Sequence, residues 1–363
     1  MKRREFARNL LGLPLAAALP AESAFGFVPK EPLELPPGGS ITDVPGLKAG
    51  HHTLSERPTG CTVVICENGA TAGVDVRGSA PGTRETDLLS PTNSVQQVQA
   101  ILLSGGSAYG LAAATGVVKW LEEHNLGYKI GRGVVPIVPA AILMDLGVGD
   151  FKIRPGEEHG YKACVAASNG PIAEGCVGAG AGATIGKMFG PKFSMKAGLG
   201  TSSHKVPGTD IVVGAIVAVN AVGDVVNPQT GKVVAGARTE DGKGFRDAMQ
   251  SVMNGYRVVV QNAANTTIGI VATNAAFSKT QMTKIAQMAH DGYARAINPV
   301  HTMADGDTIF SMSTGTSTTK ADVTAIGAIA ATVMARAIVR AAMQATSLPD
   351  LGFAAYRDYA GRF

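Results

Sequence analysis

Apolar residues along this chain fall into short runs separated by glycine-rich breaks. The runs read as strands: "CTVVIC" (61–66), "TAGVDV" (71–76), "IVVGAIVAVN" (211–220), "GDVVN" (223–227), "YRVVV" (256–260), "TTIGIVAT" (266–273) and "TIFSMS" (308–313). Between them the apolar spacing shifts to the helical period over 109–124, 278–297 and 320–346. The second of these opens with Ser278 and Gln281 at capping-box spacing. In the run after Asn265, Thr266, Ile268, Ile270 and Ala272 alternate with Thr267, Gly269, Val271 and Thr273. Both sets are small or apolar, which predicts a central strand covered on both faces, with Thr266 at the rim of the core. A polar break, Gln261 to Asn265, leads directly into it. No internal repeat and no compositional break interrupts residues 40–363, so the pattern predicts one α/β domain behind a Pro-rich linker at 25–39.

Composition sharpens this picture. Of 363 residues, 45% are hydrophobic and 17% charged, against roughly 25% charged in an average domain. Together with 46 glycines, these values predict sheets buried on both faces and joined by tight turns, and they exclude disorder. The net charge is +4, of which residues 1–24 carry +2, and no basic stripe interleaved with aromatics is present, which excludes nucleic acid as a partner. The opening "MKRREFARNLLGLPLAAALPAESAFG" has a basic cluster, an uncharged apolar run and small residues after it. It predicts an export signal over 1–24 of the twin-arginine kind, cut after Ala21 or Ala24, and a periplasmic or secreted protein; the alternative is a frayed basic tail. Near the other end, the uncharged core of the last helix, 323–335, is shorter than the ~18 residues of a membrane span and predicts a buried helix. Cys61, Cys66, Cys164 and Cys176 lack metal-ligand spacing, and either pair after export or stay as buried thiols. His51-His52 could bind a metal or form a surface pair.

Five features could carry chemistry. Thr266 becomes a nucleophile if the preceding peptide bond is cut, because its own α-amine can then act as the base; otherwise it is a β-former after a turn. In "ADGDTIF", Asp305 and Asp307 flank Gly306 at a turn, where two carboxylates can orient an amine or hydroxyl and raise one another's pKa; the alternatives are a solvated turn or a divalent-metal loop. The run "GAGAGATIGKMFG" (178–190) departs from a phosphate loop, since Gly182 stands one position too close to Gly186 and Met188 follows Lys187. It leaves a glycine-rich approach with one cation, Lys187, which could equally be a surface lysine. Asn220 closes an apolar strand, where a side-chain amide can donate to an oxyanion or form a turn. In "ILLSGGSAYGLAAATGVVKWLEE" (101–123), the amides of the glycine turn could hold a negative oxygen or simply connect a strand to a helix.

Taken together, "ITDVPGLKAGHHT", "GVDVRGSAPGTRETDLLSP", "LLSGGSAYGLAAATGVVKWLEE", "NTTIGIVATNA" and "DGDTIF" resemble the self-processing β-aminopeptidase and L-aminopeptidase/D-esterase family, which includes nylon-oligomer hydrolases. The resemblance spans almost all of the chain from Ile41 onward, with the motifs in the family's order. It implies a four-layer αββα sandwich of N-terminal-nucleophile-hydrolase type, formed by 40–363 and self-cleaved between Asn265 and Thr266 into two chains. Thr266 would be the nucleophile and Asn265 the residue whose carbonyl it first attacks. Asp305 and Asp307 stand where many aminopeptidase members have serine and glutamate, a pattern similar to the nylon-oligomer hydrolases, and this points away from β-aminopeptidase activity while leaving amide hydrolysis. Asn220 matches the oxyanion asparagine and Lys187 the active-site lysine. The resemblance implies no metal or organic cofactor, and a small peptide, amino-acid amide or ester, or oligoamide as substrate. It also implies a homo-oligomer of processed two-chain units. The competing readings are an acyltransferase resembling ornithine acetyltransferase, against which export argues, and a non-catalytic exported binding protein of the same fold.

Overall fold

The computed structural model describes residues 34–256 and 265–359. The export-signal reading over 1–24, the start of the linker, the strand expected at "YRVVV" beyond Tyr256, and the polar break up to Ala264 lie outside them.

The main elements, in chain order, are β1 (Lys48–Thr53), β2 (Gly60–Val76), β3 (Val98–Ser104), α1 (Ala113–Glu123), β4 (Ala140–Ile142), α2 (Glu157–Val165), β5 (Leu199–Lys205), β6 (Val212–Asn220), β7 (Thr266–Thr273), α3 (Lys279–Ala296), β8 (Thr308–Ser313) and α4 (Val323–Met343). They form a nine-stranded sheet in the order β5-β6-β7-β8-β2-β3-β4, with Thr83–Arg84 at one edge and β1 beside β2. The two sequence runs at 61–66 and 71–76 are therefore one strand. "ENGA" between them carries turn signals, but Gly69 at φ +78 accommodates an irregularity in register between Ile65 and Ala70 rather than a reversal.

The long β2 is what makes layers. Its first half pairs with β1 and β3, and its second half pairs with β8. The two halves of the sheet thus stack face to face around a shared core that includes Val64, Ile101, Leu103, Ile216, Ile268, Ile270, Phe310 and Met312. On the outer face of one half, Val63, Ile65 and Leu102 pack against Ala114, Val117 and Leu121 of α1 and Ala163 of α2. On the outer face of the other, Val213, Val217 and Val271 pack against α3 and α4. This is the four-layer αββα sandwich. The alternation expected in β7 holds: Ile268, Ile270 and Ala272 face the inter-sheet core while Val271 faces the helices.

Helix ends follow the local code. Ser278 Oγ accepts from the Gln281 amide while Gln281 Oε1 accepts from the Ser278 amide, closing the capping box of α3. The last helix is longer than its uncharged core, 323–335, led one to expect. With 21 residues and a mean hydropathy of 1.6, α4 is long and apolar enough to cross a bilayer, because the regular helix runs on through Arg336 and Arg340. It is instead a layer of the sandwich, 72% buried over its apolar window. The four cysteines are free, and burial pushes Cys66 and Cys164 up to about 11 and about 12. His51 and His52, adjacent on β1, take different partners: His51 Nδ1 lies 2.9 Å from Thr62 Oγ1, whereas the His52 ring stacks on His159. Burial lowers the His51 pKa to about 4. Among the described residues no group of three or more His, Cys, Asp or Glu side chains is placed to hold a metal.

Candidate active site

Strand pairing brings the separate sequence candidates to one rim. β6 and β7 are antiparallel, and their register puts the last residue of one, Asn220, opposite the first of the other, Thr266. β7 and β8 are parallel, so the residues leading into them also align, and Asn265 forms a bridge with Asp305. Lys187 arrives from the glycine-rich loop. That segment turns at Gly186, whose φ of +68 suits glycine, and its backbone docks on the chain just beyond Asn220 through Lys187 N–H to Val222 O at 2.9 Å.

Thr266 is buried, and its hydroxyl donates to the Asn265 carbonyl oxygen. The Gly306 N–H donates to the same oxygen at 3.1 Å. The two aspartates that flank Gly306 do different things. Asp307 Oδ1 accepts from the Thr267 amide at 2.7 Å, while its Oδ2 accepts from the His301 amide at 3.1 Å and from His301 Nδ1 at 2.8 Å. Asp305 Oδ2 accepts from the Thr302 hydroxyl at 2.6 Å and amide at 2.9 Å. Burial, then the charge of Asp307, push the Asp305 carboxyl up to about 6 against these donors.

The other side of the site is a fixed amide. Asn220 Oδ1 accepts from Lys187 Nζ at 2.6 Å and from the Thr184 amide at 3.1 Å, and Nδ2 donates to Met144 O at 2.9 Å. Two donors on one side and a carbonyl on the other define which way the amide points. Lys187 Nζ also donates to Asn220 O at 3.1 Å. Burial lowers its pKa to about 7, opposed by the nearby charges of Asp305 and Asp145. Next to Met144, Asp145 is locked in a buried ion pair, accepting from Arg57 Nη2 at 2.8 Å, Thr59 Oγ1 at 2.6 Å and the Gly106 amide at 2.8 Å. The amide of the "SGGS" turn thus holds an internal carboxylate. Likewise, the start of the 178–190 loop packs on β1 and β2, with the Gly178 amide donating to Thr53 Oγ1 at 2.7 Å and the Ala179 amide to Thr62 Oγ1 at 3.1 Å.

Asn265 and Lys187 open onto a cavity of about 530 Å³, whose walls include Met144, Leu146, Phe151, Phe189, Tyr256 and Phe353. An apolar cavity meeting a few converging polar groups is the usual form of a small-molecule site. The sequence candidates Thr266, Asn265, Asn220, Asp305, Asp307 and Lys187 therefore share one place. Gly306, His301, Thr302, Met144 and Asp145 belong to it too. None of these stands out in sequence, because each acts through a backbone group or through a contact set only by the turn around it.

Two sheets packed face to face between helices, with these groups at the ends of the inner strands, form a sandwich of the N-terminal-nucleophile-hydrolase fold. The same fold occurs in the L-aminopeptidase D-Ala-esterase/amidase from Ochrobactrum anthropi, described as a variant of that fold, with a TM-score of 0.64 over 87% of this chain and 89% of that one at 19% identity. The chain belongs to Peptidase family S58, which it matches over residues 39–352. A Mycobacterium leprae protein described as an uncharacterized aminopeptidase is 43% identical over 345 residues, covering 87% of this chain and 93% of its own. A 6-aminohexanoate-oligomer endohydrolase from Kocuria sp. is 31% identical over 355 residues, covering 93% and 94%. The protein is thus a peptide or amide hydrolase.

Proposed function

We propose that the chain is a precursor that cuts itself between Asn265 and Thr266, and that the freed Thr266 is the nucleophile of an amide hydrolase. The observation that carries this reading is the meeting, at one strand end, of the Thr266 hydroxyl, the Asn265 carbonyl, the Asp305–Asp307 turn and the Lys187–Asn220 pair. A threonine hydroxyl is inert until a base adjoins it, and self-cleavage supplies one as the new α-amine.

In the precursor, Thr266 Oγ1 forms a bond to the Asn265 carbonyl carbon. The C–N bond to Thr266 then breaks, and the hydroxyl proton passes to the departing nitrogen. Water hydrolyses the resulting ester, leaving an Asn265 carboxylate and a free Thr266 hydroxyl and amine. In the processed enzyme, the amine takes the hydroxyl proton as Thr266 attacks a substrate carbonyl, and returns it to the leaving amine; water then releases the acyl group. Asn220 Nδ2, which gives one N–H to Met144 O, would offer its other N–H to the developing oxyanion, and Lys187 orients that amide through Oδ1. Asp307 holds the strand at Thr267, and Asp305 faces the same junction.

The cavity walls suit a linear amide with an apolar segment beside the cut bond, and the oligoamide hydrolase relative favours the same class. Residues 1–24 would direct export to the periplasm or beyond, and processed pairs would assemble as a homo-oligomer. On a denaturing gel the purified protein should give two bands, the smaller starting at Thr266 by N-terminal sequencing. Thr266→Ala should give one uncut, inactive chain. An active enzyme with an unbroken 265–266 bond would refute the mechanism. A hydrolysis screen across amino-acid anilides, esters and short oligoamides would identify the substrate.

A further inference from the structure

The turn between the two aspartates offers more than carboxylates. Its central amide, Gly306 N–H, donates to the Asn265 carbonyl oxygen at 3.1 Å, the oxygen that carries negative charge when Thr266 attacks. We propose that the Gly306 amide is the oxyanion donor for self-cleavage, a backbone role separate from that of Asn220 in turnover. This rests on the self-cleaving reading above.

Three observations argue that this amide is built for the task. First, the turn is clamped on both sides. The carbonyl of Asp305 accepts from the Ala80 amide at 2.9 Å, and that of Asp307 accepts from the Arg77 and Gly78 amides at 3.0 and 3.2 Å. Second, the Gly306 carbonyl is held by the Thr308 hydroxyl at 3.0 Å, so the flanking peptide planes cannot swing. A dipole fixed before the reaction costs no reorganisation when charge develops on its partner. Third, the turn requires glycine on both sides of the contact. A Cβ on Gly306 would lie 2.8 Å from Thr266 Oγ1 and 2.6 Å from Ala80 O, and one on Gly78 would lie 2.2 Å from the Asp307 nitrogen. A side chain at 306 would crowd the attacking hydroxyl itself.

The chemistry assigns the two donors to different events. The Asn265 carbonyl is already seated on Gly306 before cleavage, whereas Asn220 Nδ2 is engaged with Met144 O on the cavity side. Cleavage turns Asn265 into a carboxylate that keeps the Gly306 contact until it moves away. Substrate carbonyls enter from the cavity.

The test is cell-free translation of the full chain with glycolic acid in place of Gly306, which changes the donor N–H to an ester oxygen and adds no side chain. Cleavage is followed on a denaturing gel beside the natural chain and Thr266→Ala. The ester chain should cleave roughly a hundredfold to a thousandfold more slowly than the natural one. Equal rates for the two would overturn the role of Gly306 and leave self-cleavage standing. A natural chain that never cuts would remove self-cleavage and this proposal together. If the ester chain does not fold, the full-length Thr266→Ala chain, with a ¹³C=¹⁸O label on the Asn265 carbonyl, decides by infrared spectroscopy, because Gly306 is then its donor in place of the hydroxyl. A labelled band lowered as in hydrogen-bonded amides supports the proposal, and a band at the position of an unbonded buried amide overturns it.

Discussion

Lys187 and Asp305 are buried groups of opposite charge whose pKa values are driven toward each other, the lysine down to about 7 and the carboxyl up to about 6. The effect of Asp305 can be read from precursor cleavage, where Thr266 has no free α-amine to complicate the profile. Asp305 is protonated below about 6, so cleavage that needs its charge should fall as the pH drops through that value. Lys187 acts through Asn220 in turnover, so its loss of a proton as the pH rises through about 7 should leave precursor cleavage unchanged. The cleavage rate should therefore rise with pH through about 6 and then level off, and in Asp305→Asn that rise should vanish; a flat profile in the natural chain would refute the charge requirement. Thr266 and Asn220 could be marked in the sequence because each opens or closes an apolar run, and Asp305 and Asp307 because they pair across one turn. His301 and Gly306 could not, because their contribution depends on which way a turn faces.

Elements meet at glycines that look featureless in the sequence. Gly200 in β5 lies directly beneath α4, and a Cβ there would sit 2.0 Å from Ala337 O and 2.6 Å from the Ala341 nitrogen. Gly73 in β2 stands in the same relation to α3, with the Thr283 nitrogen at 2.4 Å. These close approaches let helix backbones rest on the sheet, which is how the outer layers bury their apolar faces. Gly200→Ala should cost about 1–3 kcal/mol in urea unfolding, because α4 must lift to admit a methyl group. An unchanged midpoint would show that the helix can shift without loss. The helices themselves were legible from periodicity and caps, since 3.6-residue spacing and a capping box are local signals. That "CTVVIC" and "TAGVDV" form one strand was not, because a turn sequence and an irregularity in a continuous strand use the same small and polar residues.

At the scale of the molecule, the inter-sheet core holds the three strand ends of the site in register. Phe310 of β8 is fully buried there beside Ile268 and Ile270 of β7. Phe310→Ala should cost about 3–5 kcal/mol by urea denaturation, and it should slow self-cleavage as well, since β7 and β8 carry the two sides of the junction. Loss of stability with an unaltered cleavage rate would separate the core from the site. By itself, the sequence determined the layers' ingredients: doubly apolar strands, capped amphipathic helices, and a hydroxyl and carboxylates placed where apolar runs begin. These are properties of spacing along one chain. Only the tertiary structure decided that the ends of β6, β7 and β8 coincide, that Lys187 reaches Asn220, and that the Gly306 amide points at the Asn265 carbonyl. The reason is that strand register and turn orientation arise from long-range pairing and packing, which no local pattern encodes.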